Sequence, residues 1–125
     1  MGDLIYKELC YKLTGLAYEI DNTMGSGFEE KVYANAFEEL LKREKIKYAR
    51  EVYYPITING KIIAKKFFDF LIEDKIVLEL KCGENRYKNV CKQVFQYLKT
   101  SDLKLGLVVR FTKDGVLVKR IPNLY

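Results

Sequence analysis

The chain has 125 residues, the length of one ordinary domain, so we expect residues 1–125 to form a single domain. Hydrophobic residues make up 49% and charged residues 31%, which excludes a disordered chain, and no apolar run approaches the ~20 residues of a membrane helix, so we expect no membrane partner. The chain has no histidine, which excludes imidazole-based catalytic triads and zinc sites, and its net charge of +5 favours acidic partners.

Two helices are predicted in the first third of the chain. Apolar residues recur at helical spacing over residues 3–22, and Gly25 and Gly27 then interrupt the pattern. A second amphipathic pattern predicts a helix over residues 28–46.

The pattern changes to β-branched and aromatic residues from Tyr48 onward, which indicates strands. Asn59-Gly60 is typical of a tight hairpin turn, and Pro55 suits a strand at the edge of a sheet. In chain order, we predict strands over residues 49–58, 61–73 and 75–81, a helix over 86–100, and strands over 104–111 and 116–121.

The predicted order of elements is α-α-β-β-β-α-β-β. Three meandering strands followed by a helical crossover to a fourth strand make a mixed sheet with helices packed against it. The fold class is therefore α/β, more narrowly α+β, and a helix bundle or a β-barrel is excluded.

The three cysteines, Cys10, Cys82 and Cys91, are an odd number and form no C-x-x-C pair. This usage fits reduced, mostly buried thiols better than disulfides or an iron–sulfur cluster. The first residues also lack the pattern of a signal peptide, so we expect a cytoplasmic location.

Residues 67–81 contain side chains that packing does not explain. Asp69 interrupts an aromatic run, and Glu79 and Lys81 alternate with apolar residues, so both point to one face of a strand. A three-residue loop at residues 73–75 would place Asp69 opposite Glu79, with Cβ atoms about 5 Å apart. A two-residue turn would instead send the two carboxylates to opposite faces.

Two carboxylates at that separation repel each other unless a cation lies between them. Carboxylate oxygens are ligands that Mg²⁺ and Mn²⁺ prefer, so we expect Asp69 and Glu79 to hold one of these ions. The alternative is an exposed strand face on which Glu79 and Lys81 form an ordinary ion pair.

Three sequence motifs carry a resemblance to a known family. Asp69 together with Glu79-Leu80-Lys81 resembles the D…(D/E)-x-K signature of the PD-(D/E)xK nuclease superfamily. Residues 27–33, GFEEKVY, are similar to the motif that names the GxxExxY family, a branch of that superfamily. Residues 93–97, QVFQY, are similar to the Q-x-x-x-Y helix motif of its exonuclease-like branches.

The resemblance implies a PD-(D/E)xK nuclease-like fold and metal-dependent hydrolysis of phosphodiester bonds. It implies that Asp69, Glu79 and the Leu80 carbonyl bind the metal ion, with Glu30 contributing directly or through water. It also implies that Lys81 orients the attacking water and offsets the charge that develops on the phosphate.

The two helix motifs add further candidate residues. By the resemblance, Gln93 positions the attacking water or the signature lysine, and Tyr97 contacts the substrate backbone, although a pair four residues apart also fits the edge of a core. A helical wheel puts Glu29 and Glu30 in the same apolar face, and the family motif selects Glu30. Tyr33 is expected to pack rather than to take part in chemistry.

Positive charge is concentrated in the last third of the chain. Residues 81–125 carry 10 basic and 3 acidic side chains, a net charge of +7. Such a surface suits a phosphate backbone, although lysines also serve simply to keep a surface solvated. The candidate phosphate contacts are Arg86, Lys88 and Lys92, and we expect a nucleic acid, DNA in the first place, as partner.

Other functions stay open at this point. One is a non-catalytic module that keeps the fold and binds nucleic acid or protein; another is a structural domain with no nucleic-acid partner. The complete set of motif residues favours the enzyme. Because the chain is small for a self-sufficient nuclease, a homodimer or a protein partner is also expected.

Overall fold

The computed structural model describes residues 5–83 and 87–124, and within these ranges the chain forms three helices and five strands. Their order is the predicted one. The helices are α1 (Lys7–Met24), α2 (Glu30–Arg43) and α3 (Tyr87–Ser101), and the strands are β1 (Tyr48–Ile58), β2 (Lys61–Ile72), β3 (Ile76–Cys82), β4 (Leu105–Thr112) and β5 (Gly115–Pro122).

The five strands form one mixed sheet in the order β1-β2-β3-β4-β5. β3 and β4 are parallel and are joined through α3, whereas the other neighbouring pairs are antiparallel. A parallel pair needs a crossover, which explains why the third helix stands between them. β1 lies at an edge of this sheet, as Pro55 predicts.

Two turns set the register around the sequence signature. Asn59 and Gly60 have φ values of 50° and 76°, which a tight hairpin turn requires, so the predicted β1–β2 hairpin is confirmed. Ile72 pairs with Ile76, and the Lys75 N–H donates to the Ile72 carbonyl at 2.8 Å. The β2–β3 connection is therefore the three-residue loop, and the two-residue alternative is wrong.

Helices cover both faces of the sheet. α1 and α2 share a core with Phe70 and Leu78 on one face. On the other face, Val94 of α3 shares a core with Val77 and Val108. Successive strand residues point to opposite faces, which explains why the neighbours Val77 and Leu78 belong to different cores.

A glycine in β4 allows α3 to lie close to the sheet. Gly106 is buried, and a Cβ atom built on it would overlap Cγ1 of Val94. The close approach of α3 therefore depends on the missing side chain at residue 106.

The β1–β2 hairpin extends past the rest of the sheet. β2 pairs with β3 only through residues 70–72. In the described part of the chain, residues 52–58 and 61–68 therefore pair only with each other. We call residues 52–68 the arm.

The arm twists strongly where it leaves the sheet, so that side chains two residues apart lie on opposite faces. The Arg50 guanidinium lies 5.7 Å from the centre of the Phe70 ring, which belongs to the core beneath α1 and α2. Phe68, two residues away, belongs to the core beneath α3 instead. Residues two apart share a face in a regular strand, so the hairpin twists strongly between them. Glu51, between the paired residues Arg50 and Val52, has a φ of 59° at this point.

Candidate functional site

The signature carboxylates meet where β2 and β3 separate. The pairing of Phe70 with Leu78 places Asp69 opposite Glu79. The Asp69 N–H donates to Oε1 of Glu79 at 2.9 Å, and the Leu80 N–H donates to Oδ2 of Asp69 at 2.7 Å. Side-chain oxygens thus replace the backbone carbonyls that would continue the ladder. We call this arrangement, formed by Asp69 and Glu79 with the N–H groups of Asp69 and Leu80, the fork.

Burial and electrostatic repulsion both raise the pKa of Glu79 in this pair. Burial, followed by the charge of the neighbouring Asp69 carboxylate, raises the pKa of Glu79 from its ordinary value of 4.5 to about 9. The charge of Lys81 acts in the opposite direction but is a smaller effect. In the absence of a cation, the pair therefore retains a proton at neutral pH.

Glu30 and Lys81 form a second pair beside the fork. Lys81 Nζ lies 3.7 Å from Oε1 of Glu30, and the Cys82 N–H donates to Oε2 of Glu30 at 3.3 Å. The helical wheel placed Glu30 in the apolar face of its helix, but 43% of its side chain is exposed. It is the first residue of α2, so its side chain extends past the helix end to reach the end of β3.

The chemistry of the donor set fits a hard divalent cation, although the set is small. Each signature carboxylate uses one oxygen to accept a backbone N–H, and its other oxygen is a potential ligand. A pair that retains a proton because of burial and mutual repulsion is one that a cation can neutralise instead. In residues 5–83 and 87–124, however, no three acidic or thiol side chains converge as a ready metal-binding group. Glu30 is bonded to the lysine and the strand end.

The Cys82 thiol is not activated by its position next to Lys81. Burial and the Glu30 carboxylate raise its pKa to about 11, which outweighs the effect of the lysine. Cys82 therefore behaves as a small, partly buried group. Cys10, Cys82 and Cys91 are all free thiols, but only Cys10 is buried; Cys82 and Cys91 are partly buried, so the expectation of mostly buried thiols is wrong for these two.

Tyr33 of the G-x-x-E-x-x-Y motif packs, as expected. Its side chain is fully buried and stacks on Phe111, with ring centres 4.1 Å apart. Its hydroxyl donates to the Gly25 carbonyl at 2.7 Å and accepts the Phe28 N–H at 3.4 Å. Tyr33 thereby ties the loop before α2 to the helix, which fixes the point from which Glu30 reaches out.

The two residues of the Q-x-x-x-Y motif have different surroundings on α3. Gln93 is exposed. Tyr97 is half-buried, and its ring packs against Tyr54 at 5.1 Å and Phe68 at 5.0 Å between centres. Burial raises the pKa of Tyr97. Its ring thus helps to hold the base of the arm, and its contact with a substrate stays a prediction.

The basic candidates on α3 are accessible where the structure describes them. Lys88 and Lys92 are both exposed on this helix. Arg86 lies outside the described residues.

One basic residue near the signature escaped sequence reasoning. Arg110 of β4 is the direct neighbour of Lys81 in the parallel register, and its guanidinium donates to the Gly83 carbonyl at 3.4 Å. The available signal was a single charged residue in the otherwise apolar stretch of β4, residues 105–111. Its position beside Lys81 became visible only with the register of β3 and β4.

An open cleft of about 420 Å³ lies at the same end of the sheet. The loop before α2 forms one wall with Gly27 and Phe28, and the ends of β3 and β4 form the other with Gly83 and Lys113. The cleft gives a ligand access to the strand end to which Glu30 is bonded.

Comparisons with known proteins bear on the family and the fold. A family model described as the PD-(D/E)XK nuclease superfamily matches residues 7–121. The chain is also similar in structure to the crystal structure of SSO0001, with a TM-score of 0.58 and 23% sequence identity over 94% of this chain, a likeness of fold. This chain spans 58% of that protein's chain. No protein with a curated description matches the chain.

None of the helices in residues 5–83 and 87–124 is both long enough and apolar enough to cross a membrane.

Proposed function

Because the chain belongs to the PD-(D/E)XK nuclease superfamily, we propose that it hydrolyses phosphodiester bonds of nucleic acid with the help of a divalent cation. The observation that carries this proposal is the fork, where Asp69 and Glu79 are held against each other by reciprocal bonds to backbone N–H groups. Within the superfamily we assign the chain to the GxxExxY branch, on the motif formed by Gly27, Glu30 and Tyr33.

In this proposal Asp69, Glu79 and the Leu80 carbonyl hold Mg²⁺ or Mn²⁺, and Glu30 contributes directly or through water. Such a cation lowers the pKa of a bound water and polarises the phosphate that is cleaved. To bind the cation, the carboxylate pair would give up the proton that burial and mutual repulsion otherwise retain.

Lys81 supplies positive charge at the reacting phosphate. Its ammonium lies at the end of β3, 3.7 Å from Glu30, and it is two residues from Glu79 on the same strand. Glu30 keeps the long lysine side chain near the fork, where the ammonium orients the attacking water and offsets charge on the phosphate. Gln93, exposed on α3, positions the same water or the Lys81 amine.

The surface of α3 binds the phosphate backbone in this proposal. Lys88 and Lys92 are exposed there, and Arg86 precedes the helix. Tyr97 contacts the substrate backbone at the base of the arm. We propose DNA as the substrate, a cytoplasmic location, and a homodimer or a protein partner to complete a site built on so short a chain.

The test is a cleavage assay on single- and double-stranded DNA and RNA with Mg²⁺, with Mn²⁺ and with a chelator. The proposal expects cation-dependent cleavage that Asp69→Asn abolishes. Asp114→Asn is the matched control, because Asp114 is an exposed carboxylate in the β4–β5 turn, and this variant is expected to cleave like the wild type. Absence of cleavage on every substrate with either metal ion would contradict the proposal.

A second candidate function is a nucleic-acid-binding or protein-interaction module without catalysis. It is favoured by one observation: among the described residues no third acidic side chain joins the fork, and Glu30 is bonded to Lys81 and Cys82. In this case the assay above finds binding but no cleavage, and Asp69→Asn tightens binding because it removes a negative charge close to phosphate.

A further inference from the structure

The arm carries an aromatic pair for which packing gives no reason. Tyr53 and Phe67 are cross-strand partners whose ring centres lie 5.4 Å apart. They are 45% and 57% exposed, although aromatic rings of this size usually bury most of their surface. In contrast, Tyr54 and Phe68 on the other side of the arm pack against Tyr97.

A lysine shares the exposed aromatic face. Directly opposed residues of an antiparallel pair point the same way, and so do residues two apart on one strand. Phe67 and Lys65 are two apart on β2, and Lys65 pairs with Pro55, which is two residues from Tyr53. Tyr53, Phe67 and Lys65 therefore lie on one face of the arm, and we call them the platform.

The charge of the arm favours one class of ligand. Residues 52–68 contain three lysines, Lys61, Lys65 and Lys66, and no acidic residue. All three lysines are exposed. Two copies of the arm would bring like charges together, which disfavours self-association, whereas a polyanion is complementary to this surface.

The platform is close to the fork. Phe67 is two residues from Asp69, which is about 7 Å along β2. The rings and the fork are therefore neighbours along β2, although the twist between Phe68 and Phe70 separates their faces. Because side chains alternate along a strand, these rings point away from the cluster that Tyr54 and Phe68 form with Tyr97, which leaves them open.

We infer that the platform binds an unpaired strand of nucleic acid, with a base stacked on Tyr53 and Phe67 and a phosphate contacted by Lys65. The inference rests on the proposed function in taking nucleic acid as the ligand, and it narrows the substrate to single-stranded or locally unpaired segments. Stacking on aromatic side chains is open to bases outside a duplex and tolerates any sequence, because every base has an aromatic face.

The closing experiment uses the fact that the chain contains no tryptophan. Phe67→Trp introduces a single indole that keeps the aromatic surface. The variant is titrated with a short single-stranded oligonucleotide and with the corresponding duplex, in the presence of a chelator so that no cleavage occurs. The inference expects the indole fluorescence to be quenched by the single strand and to change little with the duplex.

Binding by other variants separates stacking from charge. The double variant Tyr53→Ala, Phe67→Ala is expected to bind the single strand about tenfold or more weakly, with an unchanged salt dependence. Lys65→Gln is expected to reduce the slope of log affinity against log salt by about 0.7, the loss of one phosphate contact. Tyr18→Ala is the matched control, since Tyr18 is an aromatic residue of similar exposure, 48%, on α1 rather than on the arm.

Each outcome is decisive. Suppose that the fluorescence of Phe67→Trp does not change with the single strand, and that the double variant binds it as tightly as the wild type does. If the wild type still cleaves, the inference is overturned and the proposed function stands. Quenching by the single strand without cleavage in Mg²⁺ or Mn²⁺ would support the inference and remove the proposed hydrolysis. A dimer that the double variant dissociates, with no change in oligonucleotide affinity, would make this face a contact between copies. A wild type that neither binds nor cleaves would end both.

Discussion

The Asp69 N–H donates to the carboxylate of Glu79, and the Asp69 carboxylate in turn accepts the N–H of Leu80, the residue next to Glu79. These two bonds occupy the first positions beyond the last backbone pair, Phe70 with Leu78. The strands can separate there without leaving these N–H groups unpaired. The same bonds hold two carboxyl groups against each other, so the stability of the fold depends on whether a proton or a cation neutralises them.

The first prediction follows from the raised pKa of Glu79. A carboxyl group whose pKa is higher in the folded than in the unfolded chain gives its full stability below the unfolded value of 4.5 and loses it as the pH rises towards about 9. We expect the metal-free protein to become less stable over this range. Urea denaturation at several pH values measures the effect, and Glu79→Gln should flatten the profile.

Glu38, whose pKa is shifted in the opposite direction, provides the control. The pKa of Glu38 is lowered by its hydrogen bond from Tyr48 and then by Arg50. The stability due to Glu38 is therefore present above pH 4.5 and is lost as the pH falls. Glu38→Gln should leave the slope between neutral and alkaline pH intact. Parallel profiles for the wild type and Glu79→Gln would show that the fork does not retain a proton.

The second prediction concerns Mg²⁺ and Mn²⁺ as stabilising ligands. A cation that binds only the folded chain at one hundred times its dissociation constant raises the free energy of unfolding by about 2.7 kcal/mol. The gain in the free energy of unfolding should be larger at higher pH. A smaller fraction of the fork then carries a proton that the cation has to displace. Thermal unfolding with and without the ion measures it. Asp69→Asn should abolish the gain and Asp114→Asn should keep it; a gain that survives Asp69→Asn would locate the cation elsewhere.

The fold itself was largely predictable because local signals coincided with its turns. Asn59-Gly60 supplies the two positive φ values of a tight turn, and Pro55 indicates an edge strand. The meeting of Asp69 and Glu79 followed from alternation once a three-residue loop was assumed. The length of the β2–β3 loop was ambiguous in the sequence. Glu73 and Asp74 both adopt positive φ, but neither is a glycine, the residue type that usually indicates such a turn.

The rest of the site depends on tertiary geometry. Arg110 lies beside Lys81 only because α3 sets the parallel register of β3 and β4. The bond between Glu30 and the end of β3 depends on where α2 packs, and a helical wheel carries no such information. The twist of the arm near Glu51 could not be predicted from the sequence either, because a glutamate gives no indication that its φ is 59°.

The third prediction tests how Gly106 positions α3. Gly106→Ala should destabilise the protein by about 1–3 kcal/mol, because the new methyl group overlaps Val94 and forces α3 to move. Val94→Ala in the same chain should recover part of this loss. Gly15→Ala is the control: residue 15 lies in α1 with nothing near its Cβ position, so alanine should stabilise by about 0.5–1 kcal/mol. Equal effects of the two alanines in chemical denaturation would contradict the close approach.

The fourth prediction separates structure from chemistry in the G-x-x-E-x-x-Y motif. Tyr33→Phe removes the hydrogen bonds to Gly25 and Phe28 but keeps the stacked ring, and should cost about 0.5–1.5 kcal/mol of stability. Because the hydroxyl acts on the loop and not on the fork, cleavage measured well below the melting temperature should stay within a few fold. Lost cleavage at unchanged stability would instead give Tyr33 a direct role.

The measurement that tests the account most directly is single-turnover cleavage with the protein in excess, combined with a salt-titrated binding assay on the same oligonucleotide. We predict that Lys81→Ala abolishes cleavage and leaves affinity within a few fold, because Lys81 acts on charge that develops in the transition state. Joint substitution of Arg86, Lys88 and Lys92 by alanine should instead weaken binding and flatten its salt dependence. If Lys81→Ala cleaves at the wild-type rate, or loses affinity as the triple variant does, hydrolysis at the Asp69–Glu79 fork is contradicted.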